Sequence, residues 1–178
     1  MLNDIEKSLF NEKQIKNCVA HLAEEINTYY GDSQIIAIIV LKGSLFFASD
    51  LLRLLNMEMK IECINAKSYG EGANSAGSVT VKNDLDYDIA GKEILLIEDI
   101  ADTGLTLSTL KAMYVKRGAK SVKVAVMLNK PARRTVEFEA DFTGFTLPDE
   151  FVVGYGLDYN QKYRNLPFIG VLKREIYE

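Results

Sequence analysis

Ile94-Leu95-Leu96-Ile97-Glu98-Asp99-Ile100-Ala101-Asp102-Thr103-Gly104-Leu105-Thr106 commits the chain to an α/β architecture. Its first four residues are all apolar, as in a strand covered on both faces. Three acids follow within five positions, then a turn rich in Thr and Gly. A helix from Thr103 to Arg117 is expected next, stopped by Gly118. A strand–turn–helix unit places its turn beyond the carboxyl edge of an open sheet, where ligands bind. The N–H groups and positive dipole end of the helix suit a phosphate. Acids near a helix start are ordinary by themselves, because they favour the dipole. Three acids beside a phosphate-type turn are not, since they repel phosphate. They make sense for a ligand that also carries sugar hydroxyls or a bridging divalent ion.

Outward from this stretch, strands and helices alternate. Ile35 to Leu41 is uniformly apolar and reads as a second buried strand, followed by the turn Lys42-Gly43-Ser44 and a helix over Leu45 to Asn56. Asn11 to Tyr30 reads as an amphipathic helix with Ile15, Val19, Leu22, Ile26 and Tyr29 on its apolar face. Asn11 and Gln14 can form its capping box, and Gly31 can end it. Further strands are expected at Lys60–Lys67, Val79–Leu85, Val122–Leu128, Phe151–Val153 and Phe168–Leu172. This order predicts an α/β fold with a mainly parallel sheet. Ser68 to Ser78 holds three glycines and small polar residues around Tyr69, which suits either a hairpin tip or a lid. No repeat or linker interrupts the chain, so residues 1–178 are read as one domain.

Composition narrows the function. The 178 residues are 48% hydrophobic and 26% charged, enough to bury roughly 70% of the unfolded surface without disulfides or structural metal. The 21 basic and 25 acidic residues leave a net charge of −4, against a general nucleic-acid binder. The longest aliphatic run stops at Lys42, far short of the ~20 residues of a membrane span. Met1 to Lys7 does not resemble a secretory signal, so a cytoplasmic protein is expected. Cys18 and Cys63 are expected to be buried free thiols, and His21 a plain helix residue. The inventory excludes a Cys/His zinc cluster. No P-loop is present, and neither Gly70-Glu71-Gly72 nor Gly154-Tyr155-Gly156 continues into a dinucleotide fingerprint.

Glu98 to Thr106 resembles the phosphoribosyl pyrophosphate (PRPP) motif of the type I phosphoribosyltransferases. Four further pieces sharpen the likeness to the bacterial hypoxanthine-guanine group of that family. They are Leu41-Lys42-Gly43-Ser44, Ser68-Tyr69-Gly70, Asn129-Lys130-Pro131, and Phe151 to Tyr159 with Arg164 beyond. Their order covers roughly residues 35–172. The resemblance implies a twisted, mainly parallel sheet flanked by helices, a small hood from the N- and C-terminal segments, and a flexible loop. It implies Mg²⁺-dependent transfer of phosphoribosyl from PRPP to a 6-oxopurine, within a homodimer or homotetramer and without nucleic acid or membrane.

By the same resemblance, Glu98 and Asp99 hold the ribose hydroxyls, directly or through Mg²⁺, and Asp102 is the general acid/base near N7 of the purine. Thr103, Gly104, Leu105 and Thr106 bind the 5′-phosphate. Lys42 and Gly43 cradle pyrophosphate, with Arg164 paired to it, and the bond before Lys42 can be cis. Lys130 donates to O6 of the base, Phe151 stacks on it, and the Val152 backbone reads its edge. Asp158 serves a second Mg²⁺ through water, and Ser68 and Tyr69 lie on the lid. Two positions depart from the pattern: Asn129 stands where Asp is frequent, and Ala101 where a larger aliphatic residue is common. A transferase for xanthine remains open. A uracil or orotate enzyme should lack the Lys130–Phe151 pair, and a PRPP-sensing regulator that binds nucleic acid would need a basic face.

Overall fold

The computed structural model describes residues 1–68 and 79–178. The main sheet contains β2 (Ile35–Leu41), β3 (Met59–Ser68), β4 (Val79–Lys82), β5 (Glu93–Ala101), β6 (Ser121–Asn129) and β7 (Phe142–Thr146), in the order β4-β3-β2-β5-β6-β7. All neighbours pair parallel except β3 and β4. A second, three-stranded antiparallel sheet joins β1 (Ile5–Phe10), β9 (Ile169–Leu172) and β8 (Val152–Val153) in the order β1-β9-β8. This is the expected hood, made from segments near the two ends of the sequence.

The apolar strands are apolar because both faces are covered. Ala37, Ile39, Leu95 and Ile97 pack with Ile15, Val19, Leu22 and Ile26 of α1 (Glu12–Tyr30) and with Phe47, Ala48 and Leu51 of α2 (Leu45–Leu52). The alternate residues Ile36, Ile38, Val40, Ile94 and Leu96 pack with Leu107, Leu110 and Tyr114 of α3 (Leu105–Lys116). No helix among the described residues is long and apolar enough to cross a membrane.

Several sequence expectations need correction. Tyr29 is 51% exposed, and Tyr30 takes the buried place, donating its hydroxyl to the Ile94 carbonyl at 3.1 Å. The helix expected to Asn56 ends at Leu52. Asn27 of α1 supplies the replacement bonds, from its Nδ2 to the Leu54 carbonyl and to its Oδ1 from the Asn56 N–H. The strand expected to Leu85 stops at Lys82, because Asn83 turns into the left-handed region. That turn aims Asp84 at the Tyr114 hydroxyl (2.8 Å) and at Arg117 (2.9 Å). Helix α3 begins two residues late, since Gly104 at φ 82° is its N-cap. Cys63 is exposed and Cys18 only partly buried, both as free thiols. His21 is an exposed residue of α1, as expected, 3.4 Å from Glu25.

The capping box at Asn11 is present, with both bonds at 2.9 Å. Asn11→Ala should cost about 0.5–2 kcal/mol in chemical denaturation while leaving the site's activity unchanged.

Candidate active site

The strand order reverses between β2 and β5. The chain winds from β2 outward to β3, then returns to place β5 on the other side of β2. A crevice opens at such a point beyond the carboxyl ends of the two strands. Here those ends are Leu41-Lys42-Gly43 and Glu98-Asp99, so the two motifs meet by topology. The Leu41–Lys42 peptide is cis. Lys42 is exposed, whereas Gly43 is buried. A Cβ on Gly43 would lie 1.5 Å from Asp99 Oδ2, so any other residue would push the Asp99 carboxylate aside. Gly156, at φ 104°, approaches from the hood side, and a Cβ there would lie 1.8 Å from the Gly43 carbonyl oxygen. Three segments are thus locked together through two glycines.

Glu98, Asp99, Asp102, Thr103, Gly104 and Thr106 line one cavity of about 420 Å³, together with Ala66, Ile100, Ala101 and Leu107. Leu105 is not among its lining residues, although it begins α3 there, its N–H donating to Thr103 Oγ1 at 3.3 Å. Burial pushes the Glu98 carboxyl well above its ordinary range, and the neighbouring Asp99 charge adds to the rise. Burial also raises Asp99, with the nearby Arg164 charge among the opposing influences. Among the described residues Asp102 Oδ1 is buried and has no hydrogen-bond partner, and it lies 3.4 Å from Arg133 Nε.

The other expected residues form two groups around this cavity. Lys130 follows β6 and is 6% exposed. Its N–H donates to the Ala101 carbonyl at 3.0 Å, which places it beside the acidic loop. Its Nζ donates to the Glu150 carbonyl at 2.8 Å and pairs with Asp149 at 2.9 Å. That contact brings Lys130 to the segment carrying Phe151, which is 37% exposed, and Val152, which is buried. In the second group, Arg164 donates to the Gly156 carbonyl and pairs with Asp158, both at 2.7 Å. Asp158 also accepts from the Gln161 N–H. Ser68 closes β3 opposite Val79, and Tyr69 lies outside the described residues.

One residue that holds the loop is invisible in the sequence. Arg134 reads there as one more cation for an anionic ligand. In the fold its guanidinium is spent on oxygens: the carbonyls of Ala101 (2.6 Å), Asp102 and Phe138 (3.1 Å), and Asn129 Oδ1. It therefore fixes the backbone on either side of the Asp102 side chain. Asn129 is buried and acts as a neutral acceptor for that clamp. Ala101 is buried at 1% exposure, within the core on the α3 face. Nothing local marks Arg134, because its partners lie up to 33 positions away.

These features form a polar, acid-lined cavity at the carboxyl edge of an α/β sheet, and the class follows from comparison with known proteins. The family model for the phosphoribosyl transferase domain matches residues 6–160, and the chain belongs to that family. Hypoxanthine-guanine phosphoribosyltransferase of Bacillus subtilis is 47% identical over 100% of this chain and 99% of its own length. The enzyme of that name from Streptococcus pneumoniae is 44% identical over 98% and 97%. The crystal structure of a hypoxanthine phosphoribosyltransferase from Staphylococcus aureus superposes with a TM-score of 0.93 at 40% identity, covering 100% of this chain and 97% of the other. Within its family, the chain is a member of the hypoxanthine-guanine phosphoribosyltransferase group.

The raised Glu98 carboxyl has a measurable consequence. A carboxyl that titrates higher when folded contributes full stability below its unfolded value and loses it as pH rises through the folded one. Glu98→Gln should therefore raise Tm in Mg²⁺-free buffer at pH 8. The gain should fade below about pH 4, where the unfolded glutamate is itself protonated. Equal gains at both pH values would contradict the burial cause.

Proposed function

We propose that this chain is a purine salvage enzyme. It transfers the 5-phosphoribosyl group of PRPP to N9 of hypoxanthine and/or guanine, yielding IMP or GMP and pyrophosphate. The observation that carries this reading is one continuous arrangement. Paired acids and a phosphate-type helix start share a cavity, and Lys130 links the acidic loop to the segment before Phe151, its N–H donating to the Ala101 carbonyl and its Nζ to the Glu150 carbonyl. A sugar phosphate and a planar base can therefore be held side by side.

The donor set fits Mg²⁺. Glu98 and Asp99 are adjacent, half-buried carboxylates whose charges a cation would relieve. Among the described residues no three His, Cys, Asp or Glu side chains converge on one point. That suits an ion that keeps several waters and takes oxygens from its substrate. Glu98 and Asp99 would hold it, with Asp158 serving a second ion through water. When bound, Mg²⁺ supplies positive charge to the departing pyrophosphate.

The protein's own groups do the rest. Cleavage of the C1–pyrophosphate bond builds positive charge on the ribose, so holding both reactants in line is most of the task. Glu98 and Asp99 orient the 2′ and 3′ hydroxyls. The turn from Thr103 to Thr106, opening α3, takes the 5′-phosphate. Lys42, Gly43 and Arg164 receive pyrophosphate. Lys130 has three donors, of which Glu150 and Asp149 engage two among the described residues, and the remaining one would serve O6. An ammonium donates to an oxo group and has nothing to accept from an amino group, which selects 6-oxopurines. Phe151 stacks on the base, and the Val152 backbone reads its edge. Asp102 accepts the proton at N7. Ser68 and Tyr69 belong to the segment that excludes water during reaction.

We place the enzyme in the cytoplasm, in keeping with two free cysteines, and read residues 1–178 as one working domain. We propose a homodimer or homotetramer. It is supported by exposed Leu45, Phe46 and Leu54 and by an apolar-lined cavity of about 650 Å³ that includes Phe46, Tyr155 and Leu166.

Purified protein given PRPP and Mg²⁺ should form nucleotide and pyrophosphate with hypoxanthine or guanine and little with adenine or uracil. Excess chelator should abolish turnover. Product with xanthine alone would redirect the assignment, and PRPP binding without product from any base would favour a regulator. Asp102→Asn should lower kcat by about 10²–10⁴ with PRPP binding largely kept. Turnover within threefold of the parent would remove Asp102 from the acid/base role.

A further inference from the structure

Phe151 precedes the two-residue strand β8, so little regular structure fixes its ring. Other rings do. Tyr177, in the short helix α4 (Arg174–Tyr177), stacks on Phe151 with centroids 4.7 Å apart and planes 21° from parallel. Tyr159 meets Phe151 edge-on, at 5.7 Å and 87°. Tyr159 and Tyr177 lie 6.5 Å apart, which closes a triangle of three rings. The triangle is anchored. Tyr177, Ile176 and Tyr159 pack on the small hood core of Val153, Tyr163, Leu166 and Leu172. The Lys173 N–H donates to the Asp4 carbonyl at 3.0 Å, which ties the start of α4 to the segment before β1.

We propose that Tyr177 is a positioning residue for the base. Its ring covers one face of Phe151, and Tyr159 covers an edge, so the exposure that remains to Phe151 belongs to its opposite face. That face is held in a single plane and is presented to a flat heteroaromatic ring. The occupied site is then a continuous stack of base, Phe151 and Tyr177. Parallel-offset and edge-to-face arrangements are the favoured aromatic geometries, and both are present. Without Tyr177, Phe151 is free to rotate, and the base must order the ring as it binds. Tyr177 itself touches no substrate. Its effect falls on the purine and leaves PRPP alone. The inference rests on the reading of Phe151 as the base platform.

The test compares Tyr177→Ala, Tyr177→Phe, Tyr177→Leu and Phe151→Ala by steady-state kinetics with hypoxanthine and with PRPP varied in turn. Tyr177→Ala should raise the purine KM about three- to tenfold and leave the PRPP KM within twofold. Tyr177→Phe should match the parent, because the ring and not the hydroxyl is at work. Tyr177→Leu keeps the hood packed but offers no aromatic face, so it should behave as the alanine variant and replaces it if alanine does not fold. An unchanged purine KM in Tyr177→Leu, with Phe151→Ala still impaired, overturns the role of Tyr177 alone. A lower purine KM would show that the ring obstructs the base site, and equal rises for both substrates would show a general loss of structure. Either result also overturns it. If Phe151→Ala leaves the purine KM unchanged, the platform reading fails and the inference falls with it.

Discussion

Gly43 touches the carboxylate of Asp99, and Gly156 touches the carbonyl of Gly43. The rest of the site depends on these two contacts. They fasten the turn after β2 to the end of β5 and bring the hood segment against both. A side chain at Gly43 would have to displace the Asp99 carboxylate, and one at Gly156 the backbone of Gly43. The reversal of strand order at β2 and β5 creates the crevice, and the missing Cβ atoms let its walls come close enough for one small ligand to span them. Arg134 completes the arrangement from below by binding the carbonyls of Ala101 and Asp102, so the backbone that carries Asp102 is held on both sides.

The charge arrangement follows from the same geometry. The chain has a net charge of −4, yet the proposed substrate is strongly anionic. Counting basic residues overstates the help available. Arg134 is used up on backbone and amide oxygens, Arg164 is paired with Asp158, and Lys130 with Asp149. Glu98 and Asp99 bring further acidic groups to the site, and burial holds both carboxyls above their usual range. The divalent cation proposed above would offset this excess of negative charge.

Much of the fold was legible because its causes are local. Strands β2 and β5 are apolar on both faces, and α1 announces its start through Asn11 and Gln14. The motif from Glu98 to Thr106 is contiguous, so the acidic loop and the start of α3 could be read together. What escaped notice depends on distant partners. β1 and β7 were not anticipated: β1 pairs only with β9, more than 150 positions away, and β7 contains Gly144, whose Cβ would sit 2.5 Å from the Met127 carbonyl. That glycine marks close packing and not a turn, which a single sequence does not reveal. Tyr29 and Tyr30 fit a helical face equally well, and only the Ile94 carbonyl distinguishes them. The early end of α2 was hidden for the same reason, because Asn27 on another helix supplies its closing bonds.

The pairing of β1 with β9 also sets an order of assembly. The main sheet and the acidic loop are complete once the chain has emerged as far as Thr146, the end of β7. The hood is not. Its middle strand is β9, and β8 joins β1 only through it. A ribosome-bound chain can therefore build the main sheet first, while the wall carrying Phe151 waits for β9 and for a loop closure of more than 150 positions back to β1. Until then the apolar side chains of Ile5 and Val153 lack the partners that β9 supplies, which leaves apolar surface open to association.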